Sequence, residues 1–177
     1  IVFLDDKYPK ETINSQWSIV GELDNWSSYI DQAEFIVAIG INKFRLAMTE
    51  VIADGGGKLA TVIHPTAVVS KYASIDAGSV VCANSTINIG ATIGRACIIN
   101  TNASVDHDCA IADGVHVSPG SNIAGQVTIK QAVWVGIGAT INECVTIGEN
   151  TIIGGGASVI HDAEANSLYV GVPANKK

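Results

Sequence analysis

The sequence is poor in what an ordinary helical globule is built from. It has one methionine, and aromatic residues make up only 6% of it. Charged residues reach 15% against 47% hydrophobic ones, so much of the chain must be withdrawn from water. The apolar mass comes mainly from Ile, Val and Ala, which favours strands around a thin core. Positive charge is scarce too: 10 Lys and Arg face 17 Asp and Glu, a net charge of −7. The only basic cluster is the terminal Lys176-Lys177. Most of such a surface repels a polyanion, so nucleic acid is not an expected partner. No apolar run approaches the 18 or so residues that cross a bilayer as a helix, and no membrane association is expected. No secretory n-region and h-region is visible, although the chain opens on Ile rather than Met.

The cysteines are Cys82, Cys97, Cys109 and Cys144; none forms a C-x-x-C pair and their spacing is not that of a zinc site. They read as reduced thiols of a cytoplasmic protein.

A period of six runs through the chain. From Ile63, every sixth residue to Val159 is Ile or Val, seventeen positions without exception or insertion. The residue two before each is usually small, as in Ala67, Ala73, Ser79, Ser85, Ala91, Cys97, Ala103 and Cys109. The residue after each is often Gly, Asn or Asp, as in Asp76, Asn88, Gly94, Gly136, Gly148 and Gly154. A helix needs a period of 3.6 and a plain strand a period of 2. Period six predicts a strand and a turn per hexad, three hexads closing a triangular coil of 18 residues. The branched side chain points inward, the small residue fits near the corner, and Gly, Asn or Asp is expected to tolerate the turn backbone. Coils pairing as parallel strands about 4.8 Å apart would stack into a prism roughly 25 to 30 Å tall. The fold class is therefore a parallel β-helix.

The first sixty residues differ. "IVFLDD" and "EFIVAIG" are apolar runs, "NKFRLAMTEVIADGGG" has helical spacing, and "KLATVIHP" leads into the repeat. Strand, helix and strand in that order predict a small α/β unit over residues 1–60, before a β-helix over 61–177. The unit lacks the opening strand and Gly-rich turn of a dinucleotide-type fold, so residues are expected before Ile1. Ligands of such sheets lie beyond the carboxyl ends of the strands, here near Asp5, Asp6 and Gly40 to Asn42. The two acids either accept hydrogen bonds from a ribose or uracil or merely open a solvated turn.

Two of the four histidines, His107 and His116, lie within "NTNASVDHDCAIADGVHVSPG". By hexad phase both project outward, which predicts solvated rather than core histidines. Asp106 and Asp108 flank His107, and a carboxylate accepting the Nδ1 proton would raise the basicity of the ring. A general base works best with a pKa near ambient pH. A three-histidine zinc site fits poorly. His107 and His161 share a phase three coils apart, about 14 Å, against the roughly 4 Å spanned by two nitrogens on one zinc.

The pattern of Ile or Val, Gly, two free positions and a small residue resembles the hexapeptide-repeat acyltransferases, whose β-helix is left-handed. "FLDD", "AIGINKFR", "VIHPTA", the two-histidine stretch, "GIGAT", "IIGGGASVI" and "YVGVPANKK" extend the resemblance over nearly the whole chain. They place it near the sugar-nucleotide N-acetyltransferases within the sialic acid O-acetyltransferase-like group, closest to those acetylating a UDP-4-amino sugar toward bacillosamine. The resemblance implies a homotrimer that uses acetyl-CoA and no metal. It implies His107 as general base, Asp108 as its acidic partner in place of the more usual Glu, and His116 at the acetyl end of acetyl-CoA. It further implies Gly125 as an oxyanion N–H, Ile137 and Gly155 along the CoA arm, Lys176 near the CoA nucleotide, and Asp5, Asp6 and Gly40 in the sugar-nucleotide pocket. Left open are a GDP- or dTDP-linked acceptor, a hydroxyl acceptor, a zinc lyase and a non-catalytic trimeric scaffold.

Overall fold

Residues 1–177 are described by a computed structural model. The N-terminal unit holds β1 (Phe3–Leu4), β2 (Ile13–Asn14) and β3 (Trp17–Gly21), then a 3₁₀ segment over Leu23–Tyr29, β4 (Glu34–Phe35), α1 (Asn42–Asp54) and β5 (Lys58–Leu59). β1 and β2 flank β3, one parallel and one antiparallel. β4 and β5 pair in parallel with α1 as the crossover, the strand–helix–strand order read from the sequence.

The rest is a left-handed parallel β-helix. Its seventeen rungs run from β6 (Val62–Ile63) to β22 (Ser158–Val159), and the second residue of every rung is the hexad Ile or Val. Rungs stack into three flat faces. The first face carries the strands ending at Ile63, Val81, Ile99, Val117, Val135 and Ile153, and β23 (Leu168–Val170) and β24 (Asn175–Lys176) extend it. The second carries those ending at Val69, Ile87, Val105, Ile123, Ile141 and Val159, and the third those ending at Ile75, Ile93, Ile111, Ile129 and Ile147. The rungs from Ile63 to Ile141 each pair in parallel with the one 18 residues further on, as Ile87 with Val105, Ile93 with Ile111 and Ile99 with Val117. From Val81 to Val159 every inward Ile or Val is buried. Each contributes about 1.5–3 kcal/mol by leaving water.

The corners depart from the sequence reading. The residue needing a left-handed backbone lies three after the inward residue, not one after it: Asn84, Gly90, Ala96, Asn102, Asp108, Gly114 and Gly120 all have positive φ. The glycines at the position one after serve a different end. A Cβ on Gly136 would lie 2.6 Å from the Gly155 nitrogen, and one on Gly148 2.3 Å from the Ala165 nitrogen. They let one coil settle closely on the next.

Helix α1 lies along the corner between the third and first faces. Its buried residues Asn42, Arg45, Leu46, Thr49 and Ile52 recur at helical spacing along one stripe. Small corner residues make its seat: a Cβ added to Gly78 would meet Thr49 at 3.0 Å, and one on Gly114 would meet Leu46 at 3.2 Å. Asn42 Nδ2 donates to the carbonyls of Ala132 (3.2 Å) and Val133 (2.9 Å), fixing the start of the helix to a higher coil. No helix is long and apolar enough to cross a membrane.

Candidate active site

His107 occupies the corner between the second and third faces, where the chain turns outward and its ring is half exposed. The next residue, Asp108, takes the left-handed slot at φ 57°, a conformation Asp tolerates better than most residues. That backbone swings the carboxylate beside the ring, with Oδ2 2.9 Å from His107 Nδ1. An ionised carboxylate can only accept, so Nδ1 carries the hydrogen and Nε2 keeps its lone pair. The Asp108 hydrogen bond, aided by the charge of Asp106, holds the His107 pKa above the ordinary histidine value. Asp106 is occupied elsewhere: its Oδ1 accepts from Asn88 Nδ2 at 2.7 Å and from the His107 backbone N–H at 2.7 Å. The Asn88 bond first, and the backbone bond second, hold that carboxyl below its usual range.

The neighbouring coils fit this pair closely. One coil above, Gly125 lies against the ring, where a Cβ would sit 2.5 Å from Nε2. One coil below, a Cβ on Gly90 would sit 2.3 Å from Asp108 Oδ1. The Gly125 N–H donates to no group of the protein. A shallow groove of about 340 Å³ runs beside this corner on the second face, lined by Asn88, Ser104, Asp106, Asn122, Thr140 and Asn142 among others. Cys109 is buried, donates through sulfur to the Ala124 carbonyl (3.1 Å), and has its pKa raised by burial. It is not an activated nucleophile.

His116 departs from expectation. It projects outward from the first face as the phase requires, yet it is only 7% exposed rather than solvated. Trp134, one coil above, packs on it with ring centroids 4.7 Å apart. Burial first, and the nearby Arg45 charge second, push its pKa down to about 4, so the ring stays neutral at physiological pH. Asn100 Oδ1 accepts from the Thr101 N–H at 2.8 Å, which turns Asn100 Nδ2 toward His116 Nε2 at 3.1 Å. Nε2 must then accept, and the hydrogen resides on Nδ1. His116 Nδ1 is also the one buried side-chain nitrogen or oxygen of the molecule without a partner. A donor held in this way is ready for an acceptor that is not part of the chain.

The remaining expected residues are spread around the molecule. Ile137, exposed, and Gly155 meet at the corner between the first and second faces, where a Cβ on Gly155 would lie 3.2 Å from Ile137. Lys176 is on β24 and pairs with Glu164 at 2.6 Å, which raises its pKa. Asp5 accepts the Lys7 N–H (2.9 Å) within a turn, and Asp6 accepts the Leu23 N–H (3.1 Å) at the start of the 3₁₀ segment. Gly40 is exposed, and a Cβ there would meet nothing within 4 Å. The structure thus gathers His107, Asp108 and Gly125, and separately Ile137 and Gly155. His116 stands on the face opposite the His107 corner. No three His, Cys, Asp or Glu side chains group as a metal site.

Sequence reasoning passed over Asn100, Gly90 and Arg45. For the first two the signal was available, because residues about 18 apart are neighbours on adjacent coils: Asn100 precedes His116 by 16 and Gly90 precedes Asp108 by 18.

Residues 1–52 match the PglD N-terminal domain family. UDP-N-acetylbacillosamine N-acetyltransferase of Bacillus subtilis is 36% identical over 85 residues, 45% of this chain; the match spans 38% of that relative's length. The acetyltransferase domain of PglB from Neisseria gonorrhoeae, solved with acetyl coenzyme A, superposes with a TM-score of 0.95 at 34% identity, covering 99% of this chain and 85% of that one. PerB from Caulobacter crescentus, solved with CoA and GDP-perosamine, gives 0.94 at 35% identity, covering 99% and 84%. The chain belongs to the hexapeptide-repeat sugar-nucleotide acetyltransferases.

Proposed function

We propose that the protein is an acetyl-CoA-dependent N-acetyltransferase acting on the 4-amino group of a UDP-linked amino-deoxy sugar, as in bacillosamine-type glycan synthesis. The observation that carries this reading is the His107–Asp108 pair with its free Nε2, set against Gly125 on a chain related over nearly its full length to acetyl-CoA-binding structures. The attacking amine must lose a proton as the C–N bond forms, and His107 Nε2 accepts it. Asp108 stabilises the resulting imidazolium. Negative charge gathers on the acetyl oxygen as the tetrahedral centre forms. A preorganised N–H such as that of Gly125 is worth about 3 kcal/mol there. Collapse breaks the C–S bond, His107 returns the proton to the leaving thiolate, and the products are the amide and free CoA. No acyl-enzyme forms.

In this reading His116 meets the acetyl end of acetyl-CoA, Ile137 and Gly155 line its arm, and Lys176 exchanges Glu164 for a nucleotide phosphate. Residues 1–60 bind the sugar nucleotide through Asp5, Asp6 and Gly40. His107 and His116 point to opposite sides of one prism, so in this reading a complete site takes His107 from one copy and His116 from another, within a homotrimer; the cytoplasm is its proposed location. A GDP-linked acceptor is the second reading, favoured by the relative solved with GDP-perosamine.

The test is a thiol-release screen with acetyl-CoA and UDP-, GDP- and dTDP-linked 4-amino sugars. Fastest turnover on a UDP sugar is the expected result, and preference for a GDP sugar selects the second reading. No thiol above background with any of them leaves the non-catalytic scaffold standing.

A further inference from the structure

Arg45 is the most deeply buried charged side chain of the protein, at 1% exposure, and no carboxylate accompanies it. Its five N–H groups are all spent on neutral oxygens. Nε donates to the Ala96 carbonyl at 2.8 Å, and Nη1 to those of Ile39 (3.0 Å) and Gly40 (3.2 Å). Nη2 donates to Asn42 Oδ1 and to the Gly114 carbonyl, each at 2.9 Å. These partners belong to three separate parts: the segment leading out of β4, the first residue of α1, and two successive coils of the solenoid. Isolated burial of a cation is costly, and packing alone would be served more cheaply by an apolar residue here. What a guanidinium adds is a rigid fork that fixes several carbonyls in one mutual arrangement.

We propose that Arg45 is a positioning residue that sets the sugar-nucleotide pocket in register with the solenoid, and so governs acceptor binding. This role rests on the function proposed above and extends it. The carbonyls of Ile39 and Gly40 belong to the segment that leaves the carboxyl end of the parallel strand β4, four and five residues past it, and α/β units hold their ligands beyond that end. Arg45 ties that segment to the Ala96 and Gly114 corners, the second of which directly precedes His116 on the first face. Loss of the fork frees the acceptor loop while the β-helix, whose core does not contain Arg45, keeps its rungs and its acetyl-CoA surface.

The experiment uses the full chain with Arg45→Met, which keeps an unbranched apolar stem but no donor, and Arg45→Lys, which keeps the charge but not the fork. In both, KM for the acceptor sugar nucleotide should rise at least about tenfold, with KM for acetyl-CoA changed less than about twofold. Titration calorimetry with UDP and with GDP should show the same weakening without turnover. A purely structural Arg45 would lower thermal stability and move neither constant selectively. Equal shifts in both KM values, or wild-type acceptor KM in Arg45→Lys, would overturn the proposal. A wild-type protein that releases no thiol and binds neither nucleotide is a different failure, that of the proposed activity. Arg45→Lys is the milder change and serves if Arg45→Met does not fold.

Discussion

Gly90→Ala should disable the His107–Asp108 pair without touching either residue. The added Cβ would lie 2.3 Å from Asp108 Oδ1 and 3.5 Å from the Asp108 Cα. Ordinary contact begins near 3.4 Å, so the carboxylate oxygen must retreat by about 1.1 Å. The hydrogen-bonded oxygen is Oδ2, joined rigidly to Oδ1; a shift of the whole carboxylate by that amount away from the ring would stretch its 2.9 Å contact with His107 Nδ1 to about 4.0 Å, past hydrogen-bonding range. Alanine is also strained at φ +73°, at a cost of about 1–2 kcal/mol. Gly120→Ala isolates that second effect, since Gly120 has φ +67° and nothing within 4 Å of the added Cβ. Both variants should therefore lose a few degrees of Tm, and only Gly90→Ala should lose activity. The assay is kcat/KM against pH for thiol release. The base must be neutral to act, so activity falls as pH drops through the His107 pKa. Asp108 holds that pKa above the ordinary value; without its bond the inflection moves to lower pH. Imidazolium stabilisation is lost as well, and the plateau should fall about tenfold or more. Gly90→Ala should add nothing in an Asp108→Asn background, because both act through one contact. A wild-type pH profile in Gly90→Ala, or additive losses in the double variant, would refute the reasoning.

His107→Ala should lower kcat by at least about a hundredfold while the oligomer seen by light scattering persists; near-normal turnover would remove His107 as the base. Asn100→Asp places an acceptor opposite His116 Nε2 and should move the hydrogen from Nδ1 to Nε2. Nitrogen-15 shifts of the His116 ring would report the exchange, and an unchanged tautomer would show that Asn100 does not set it. Ile111→Asp places a carboxylate in the prism beside Ile93 and Ile129, which pair with it on either side, and should prevent folding. A soluble variant with wild-type circular dichroism and Tm would contradict the inward register.

The solenoid was legible because one residue class repeats at one spacing, and every inward position from Ile63 to Val159 ends a rung. Local steric logic went less far. The sequence reading assigned the turn backbone to the residue after each inward one. The left-handed position lies two residues later, where Asp108, Gln126 and Cys144 disguise a slot that Gly90 fills openly. The burial of His116 was hidden for another reason. Hexad phase tells which side of the sheet a residue takes, but not whether another part of the chain covers that side. Arg45 illustrates the same limit. Nothing in the helical pattern marks it, and the carbonyls of two distant coils are what receive it in the interior. Asp108 was chosen over Asp106 by resemblance; the backbone at φ 57° shows how neighbouring residues on a corner bring ring and carboxylate into contact, as that role would require.

The stacking of equal coils also decides which changes of length the protein can absorb. A loop insertion in an ordinary enzyme is judged by its size. Here it would be judged by its remainder on division by six and by eighteen. Six added residues would leave every Ile and Val pointing inward, yet carry everything downstream a third of a turn around the axis. His116 would then leave the side facing α1 while the core noticed nothing. Eighteen added residues would restore each residue to its face, one storey higher. A lineage of such chains can therefore grow taller far more easily than it can slip by one hexad, and two members with equally sound cores can differ completely in which surfaces can meet.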